Sequence, residues 1–394
     1  MRILVVTNLY PNARQPHRAS FNRQQFAALV AEHEVRIIAP IAWTSSVVAP
    51  VGADEGFVGG TARISDGMII EHPHYYFSPK MLRGWYGQFY LRSIRENARR
   101  AMREFRPDVV LGSWAYPDGW AAVLLAREAG IPVAIKVHGS DLLTVGRGAA
   151  RYRRTVEAIT CANAVIAVGR RLGERAIEMG VRPERVHIVH NGIDAQVFHP
   201  GPREGARERL GIQAGGPLIL FVGNLVPVKG LDVLLNALSR LTASGAPFQC
   251  VLVGDGPLGP RLRGQINSLG LSTKVRLVGS RPQSELADWY QAADLLVLPS
   301  RSEGIPNVLL EAAACKTPVV ASDVGDVSEV CSASGLVPPG DAGALADRIR
   351  MFLSSPPLDS SPRFTPGTWR ESAAKLAGVL DEIVQGAAQL GRAG

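Results

Sequence analysis

Two glutamates eight positions apart, Glu303 and Glu311, are the best-placed chemistry in this 394-residue chain. They lie in Ser300-Arg301-Ser302-Glu303-Gly304-Ile305-Pro306-Asn307-Val308-Leu309-Leu310-Glu311. An apolar segment, residues 294–298, precedes them and reads as a buried strand. An apolar run from Val308 to Ala314 follows and reads as a helix. Glu303 is therefore expected on a strand-to-helix loop and Glu311 inside the helix. Ligands of open parallel sheets bind outside the carboxyl ends of the strands, where such loops gather. The helix start between the two acids offers N–H groups and a positive dipole end, which suits a diphosphate. A carboxylate on each side would repel phosphate but accept hydrogen bonds from hydroxyls. The pattern predicts a ligand with sugar hydroxyls at both ends and a diphosphate between them, which is the shape of a nucleotide-sugar. Spacing alone also allows a hydrolase pair, two carboxylates acting as acid and nucleophile.

Three further segments carry polar groups at strand ends. Phe221-Val222-Gly223-Asn224-Leu225-Val226-Pro227-Val228-Lys229-Gly230 reads as a strand, a glycine turn and a helix start, with one lysine able to reach a phosphate. Val137-His138-Gly139-Ser140-Asp141 ends another apolar strand. It places a histidine at the carboxyl edge, with Asp141 as an expected polarising partner. His190-Asn191-Gly192-Ile193-Asp194 reads first as a turn. The polar loop from Asn8 to Phe21 is expected on the same edge as His138, where it could meet an acceptor.

Positioning these loops requires many parallel strands. Strands are expected at residues 2–7, 34–39, 68–71, 108–112, 133–137, 164–168 and 186–189. In the second half they are expected at 217–222, 249–253, 275–278, 294–298 and 318–321. Helical patterns alternate with them, which argues for parallel sheets covered on both faces. The Pro/Gly-rich break at 199–205 predicts a first domain of residues 1–199 and a second of 200–375. A second break at 354–362 precedes a last helix, whose part from about 376 to 394 is expected to return to the first domain. The expected fold class is α/β, two Rossmann-like doubly wound domains facing across a cleft, the default place for a ligand.

Composition adds limits. Charged residues make up 20% and hydrophobic ones 46%, ordinary for a soluble globular protein. No signal or membrane-spanning segment stands out. The four cysteines form no CxxC pair, so reduced core thiols and a cytoplasmic setting are expected. Residues 1–199 hold 25 Lys/Arg against 17 Asp/Glu, a surplus of +8 equal to that of the whole chain. Arginines crowd the stretch from Lys80 to Arg106 and the stretch from Arg151 to Arg175. A solvated face and attraction to an anionic membrane surface or acceptor are both open. The basic residues are not interleaved with exposed aromatics, so nucleic acid is not expected.

Together the glutamate pair, the Gly223–Gly230 segment, His138–Asp141 and His190–Asp194 resemble the retaining glycosyltransferases of family 4, with the GT-B architecture. The resemblance covers nearly the whole chain and is strongest over about residues 215–340. A finer resemblance, in Asn8–Pro11 and Pro16–Phe21, is to the subgroup that makes teichuronic acid and other surface polysaccharides. It implies transfer of a sugar from a nucleotide-diphosphate-sugar to a glycan or lipid-linked acceptor, with retention. Glu311 would bind the ribose and Glu303 the donor sugar. Lys229 and the amides around Gly304–Asn307 would hold the diphosphate, with Gly223, Asn224, Gly304, Ile305, Pro306, Asn307 and Val308 lining the donor site. His138 would contact the donor sugar or leaving phosphate from the other domain. Arg18, Arg23 and Asp141 are candidates for the acceptor. No metal and no other cofactor is expected.

Two departures weaken the match. Family members usually carry arginine at the position of Asn224, so the diphosphate grip is in doubt unless Arg281 or Arg301 replaces it. Many also carry a Gly-Gly pair after the first strand, which Asn8–Ala19 lacks. A nucleotide-sugar epimerase and a non-catalytic nucleotide-sugar-binding protein are the alternatives. The hydrolase pair is disfavoured, because Glu311 lies deep in a helix beside an anion site.

Overall fold

The computed structural model describes residues 1–16, 18–44, 63–78, 83–146, 150–212, 216–355 and 364–393. Lys80 and most of the expected break at 354–362 lie outside these residues. The chain divides into two compact units. The first is Met1–Gly192 with Trp369–Gly394, and the second is Ile193–Thr368. The division falls at 192/193 and 368/369, against the expected 199/200 and 375/376. The Pro/Gly-rich break marks the start of the helix Arg203–Arg209, which already belongs to the second unit.

The first unit is built on an eight-stranded sheet. Its strands are β1 (Arg2–Val6), β2 (Glu34–Ile38), β4 (Arg63–Ser65), β5 (Met68–Glu71), β7 (Val109–Ser113), β8 (Val133–Val137), β9 (Ala164–Ala167) and β10 (Val186–Ile188). A separate two-residue ribbon pairs β3 (Ile41–Ala42) with β6 (His74–Tyr75). The sheet order is β10-β9-β8-β7-β1-β2-β5-β4, parallel except for β4 against β5. Every residue of β7, β8 and β9 is buried, as mainly apolar strands require in a sheet covered on both faces, and Ser113 and Lys136 are buried with them. The final helix, Trp369–Ala393, places Ala373, Leu376 and Leu380 in the same core as Phe26 and Leu29 of the helix Ser20–Leu29.

The second unit holds six parallel strands: β11 (Leu218–Val222), β12 (Gln249–Val253), β13 (Val275–Gly279), β14 (Leu295–Leu298), β15 (Val319–Ser322) and β16 (Leu336–Val337). Their order is β13-β12-β11-β14-β15-β16. In chain order that is 3-2-1-4-5-6, the doubly wound arrangement of dinucleotide-binding sheets. All five residues of β11 are buried, each large aliphatic contributing about 1.5–3 kcal/mol of hydrophobic stabilisation. In such a sheet the winding direction reverses between strands 1 and 4. Here those are β11 and β14, and in the first unit the reversal falls between β1 and β7. Loops part at these two points and leave a crevice at each.

Candidate active site

The reversal point of the second unit gathers the residues singled out by spacing. The loop after β11 carries Gly223, Asn224 and Lys229, and the loop after β14 carries Glu303 to Pro306. Lys229 Nζ donates to Glu303 Oε1 at 2.5 Å, and Ser300 Oγ donates to the same oxygen at 2.6 Å. Both charged side chains keep some surface, 19% for Lys229 and 11% for Glu303. An ammonium has three N–H donors, so one bond to Glu303 leaves two for phosphate oxygens.

The loops are locked together by backbone. Arg301 N–H donates to Val228 O at 2.8 Å. Gly230, at φ 66°, lies so close that a Cβ there would stand 2.0 Å from Pro299 O. Gly325 plays the same part on the other side, since its Cβ would stand 1.8 Å from Glu303 O. A side chain at either position would push the Glu303 loop away. Gly325 carries no local mark of this part, because a glycine 22 positions after Glu303 signals only a turn.

The helix Asn307–Ala314 starts directly after Pro306, with Gly304, Ile305 and Pro306 buried and Asn307 and Val308 half-buried. Its first turn begins where the Glu303 loop ends, the position from which helix N–H groups can meet an anion. Glu311 is half-buried, and its Oε2 accepts from Tyr290 OH at 2.7 Å. Burial pushes its carboxyl up to about 7, against the Tyr290 hydroxyl that favours the charged form. Tyr290 lies on the helix Gln283–Ala292, 21 positions away, and no local pattern tied it to Glu311.

Asn224 is exposed. Arg301 does not stand in for an arginine there. Its guanidinium holds Asp232 at 2.9 and 2.6 Å and Pro227 O at 2.8 Å, bracing the loop. Arg281 is exposed beyond β13, two strands from β11, roughly 10 Å along the sheet edge.

In the first unit His138 follows β8 directly. Its Nε2 lies 2.9 Å from Ser113 Oγ, and its ring is flanked by Phe21 and Trp114 at 5.0 and 6.2 Å between centroids. Burial, with Lys136 adding to it, holds the ring well below the ordinary histidine range, so it is neutral near pH 7. Asp141 is not the expected partner of the ring. Its carboxylate accepts from the backbone N–H groups of His138, Gly139 and Ala115, so it shapes the turn instead. With 1% of its surface exposed, it is also poorly placed to meet an acceptor.

Arg18 folds onto its own loop, bonding Asn8 O at 2.9 Å and Gln15 Oε1 at 2.8 Å. Arg23 pairs with Asp66 at 2.8 Å. Asp118, unmarked in the sequence reading, sits at the reversal point of this sheet. It accepts from Tyr90 OH and from Asn8 N–H, and burial raises it to about 7.

Much of the arginine surplus is neutralised. Arg95 and Arg99 share Glu128, Arg100 pairs with buried Glu71, Arg154 with Glu157 and Arg175 with Glu178. A cavity of about 280 Å³ lined by Gly84, Ala150, Arg153, Arg154 and Glu157 opens beside Trp85, which is 59% exposed. Among the described residues no helix is long and apolar enough to cross a membrane. Cysteines 250, 315 and 331 are buried, whereas Cys161, expected in the core, is exposed.

Two family models divide the chain between them. Residues 21–197 match "Glycosyltransferase Family 4" and residues 202–364 match "Glycosyl transferases group 1". A teichuronic acid biosynthesis glycosyltransferase, TuaC of Bacillus subtilis, described as putative, is 31% identical over 365 residues, 89% of each chain. The chain belongs to glycosyltransferase family 4. It is also 32% identical to a D-inositol 3-phosphate glycosyltransferase of Frankia alni over 84% of each chain. Among solved structures, sucrose-phosphate synthase of Thermosynechococcus elongatus superposes with a TM-score of 0.75 at 21% identity, covering 100% of this chain and 99% of that one. HepE of Anabaena in complex with UDP-glucose gives 0.69 at 18% identity, covering 98% and 99%. Such identities show the fold alone, and the fold is GT-B. As a family 4 member this protein is a glycosyltransferase.

Proposed function

We propose that this enzyme transfers a sugar, with retention, from a nucleotide-diphosphate-sugar to a glycan or lipid-linked acceptor in surface-polysaccharide or glycolipid synthesis. The Lys229–Glu303 contact at the β11/β14 reversal point carries the reading. A cation and an acid there meet the two halves of a sugar phosphate, and Glu311 stands one helix length further on for the ribose. The relative named for teichuronic acid synthesis supports the class of acceptor, and the neighbours solved with UDP and UDP-glucose support the donor.

As the bond between anomeric carbon and phosphate breaks, positive charge grows on the sugar and negative charge on the leaving diphosphate. Lys229 and the helix amides at Asn307 and Val308 stabilise that negative charge as it forms, a preorganised arrangement suited to catalysis. Glu303 orients the sugar hydroxyls. Neutral His138 donates or accepts a hydrogen bond at the sugar or phosphate without adding charge. The reading needs no metal and no other cofactor. The surplus of basic over acidic residues in 1–199 supports work at the inner face of a membrane, through contact with anionic headgroups.

A second reading, a small phosphorylated polyol as acceptor, is favoured by the relatives named for D-inositol 3-phosphate. Incubation with UDP-, GDP-, ADP- and TDP-sugars and candidate acceptors, with products read by NMR, tests both. An α-linked product from an α-linked donor is expected, and a β-linked product would contradict retention. Consumption of the nucleotide-sugar into an epimer without acceptor would sink the transferase reading.

A further inference from the structure

Beneath His138 lies a ring of buried polar side chains with no part in the proposed reaction. Ser113 stands beside Lys136 in the β7/β8 register, and His138 comes two residues after Lys136, just beyond the strand. Lys136 is fully buried, and its Nζ donates to Gln25 Oε1 at 2.5 Å and to Asn191 Oδ1 at 3.0 Å. Gln25 and Asn22 are three apart on the helix Ser20–Leu29 and so share a face. Asn22 Oδ1 accepts from Ser113 Oγ at 3.2 Å, and Ser113 Oγ meets His138 Nε2. Hydrogen bonds join Lys136 to Gln25 and Asn22 through Ser113 to His138, and the backbone joins Gln25 to Asn22 and His138 to Lys136. With the Ser113 proton directed to Asn22, the ring nitrogen facing Ser113 carries the hydrogen and Nδ1 is left as acceptor. Gln25 also donates to Ser372 Oγ, which donates to His190 O, so the turn at 190–191 and the last helix hang on the same network.

Among the described residues no carboxylate bonds Lys136. An apolar residue would fill a strand position such as this at lower cost, since an unbalanced buried cation is expensive. The charged or titratable groups around the His138 ring are few. Lys136 faces it from β8, while Asp141 turns its carboxylate to backbone amides. Phe21, Trp114 and Ser113 also touch the ring, and none brings charge.

We propose that Lys136 is a positioning residue, whose two hydrogen bonds tie the His138 end of β8, the helix Ser20–Leu29 and the 190–191 turn into one buried polar network. Its charge adds to burial in disfavouring the protonated imidazole. The proposal rests on His138 acting in transfer, but its test does not. NMR of the His138 ring is recorded from pH 4.5 to 8 in the wild type, in Lys136→Met and in Gln25→Glu. Methionine removes the charge and both bonds at similar volume. Glutamate keeps a bond to Lys136 and sets a negative charge against it, so it guards against a methionine variant that fails to fold. In both, the His138 midpoint should rise by at least about half a pH unit, roughly threefold in proton affinity. An unmoved midpoint in folded Gln25→Glu overturns the proposal, because a purely structural lysine would leave the ring's titration alone. His138→Ala, assayed alongside, decides the catalytic reading separately. Full activity there would remove His138 from the reaction while the NMR result still rules on Lys136.

Discussion

Lys229 and Lys136 are both lysines at the carboxyl edge of a parallel sheet, one in each unit, and they are held in opposite ways. Lys229 is partly exposed and meets a carboxylate. Lys136 is fully buried and meets two amide oxygens. A carboxylate partner in reach of water can be exchanged for a phosphate at modest cost, because both states pair the charge. Amide partners in a dry interior fix geometry but do not balance charge, and burial lowers the Lys136 ammonium to about 7. The first arrangement suits a group that handles substrate. The second suits a group that holds the site in place. The two glutamates repeat the contrast, with Glu303 bonded to a cation and Glu311 to a phenol.

The largest effect should come from Lys229→Ala. Loss of a cation at the leaving diphosphate is expected to lower kcat/KM by about a thousandfold, with thermal stability nearly unchanged. Steady-state rates beside a melting curve check this, and a variant within tenfold of wild type would break the assignment. His138→Ala should cost about a hundredfold in kcat.

Next is the pH dependence of stability. The Lys136 pKa is lower in the folded chain than in the unfolded one, so the unfolded state binds more protons between about 7 and 10.5. Stability from this group therefore rises with pH across that window and is lost as pH falls towards 7. Melting curves at pH 7 and pH 9 should differ more in the wild type than in Lys136→Met. Equal differences would show that the buried amine does not titrate there.

Donor binding should report the Glu311 carboxyl. A ribose hydroxyl is best accepted by the ionised form, whose population grows as pH passes about 7. Affinity should then rise roughly tenfold from pH 6 to pH 8, and Glu311→Gln should flatten the curve. The smallest effect is a gain. Asn224→Arg restores the guanidinium common in the family at an exposed position and should tighten donor binding by a few fold.

The strands that position both lysines were legible because Leu218–Val222 is an uninterrupted apolar run and Val133–Val137 is broken only by Lys136, which leaves few other fates. The short strands β3, β4, β6 and β16, two or three residues each, left no period to read. Glu303, Glu311 and Lys229 were legible from residue type next to a strand end. Their supports were not. Gln25 and Asn191 stand 111 and 55 positions from Lys136, and that separation hides a buried network from any local pattern. Asp141 was misread for a related reason. Three positions in sequence suggest a partner for the His138 ring, whereas a short turn with three open amides claims a carboxylate first.

The most direct test is calorimetric titration of UDP-, GDP-, ADP- and TDP-glucose into the wild type, Lys229→Ala and Glu303→Ala. One nucleotide family should bind the wild type, lose about a hundredfold in affinity without Lys229, and lose turnover without Glu303. Equal affinity in the wild type and in Lys229→Ala, with turnover intact in Glu303→Ala, would contradict a donor site at the β11/β14 reversal point.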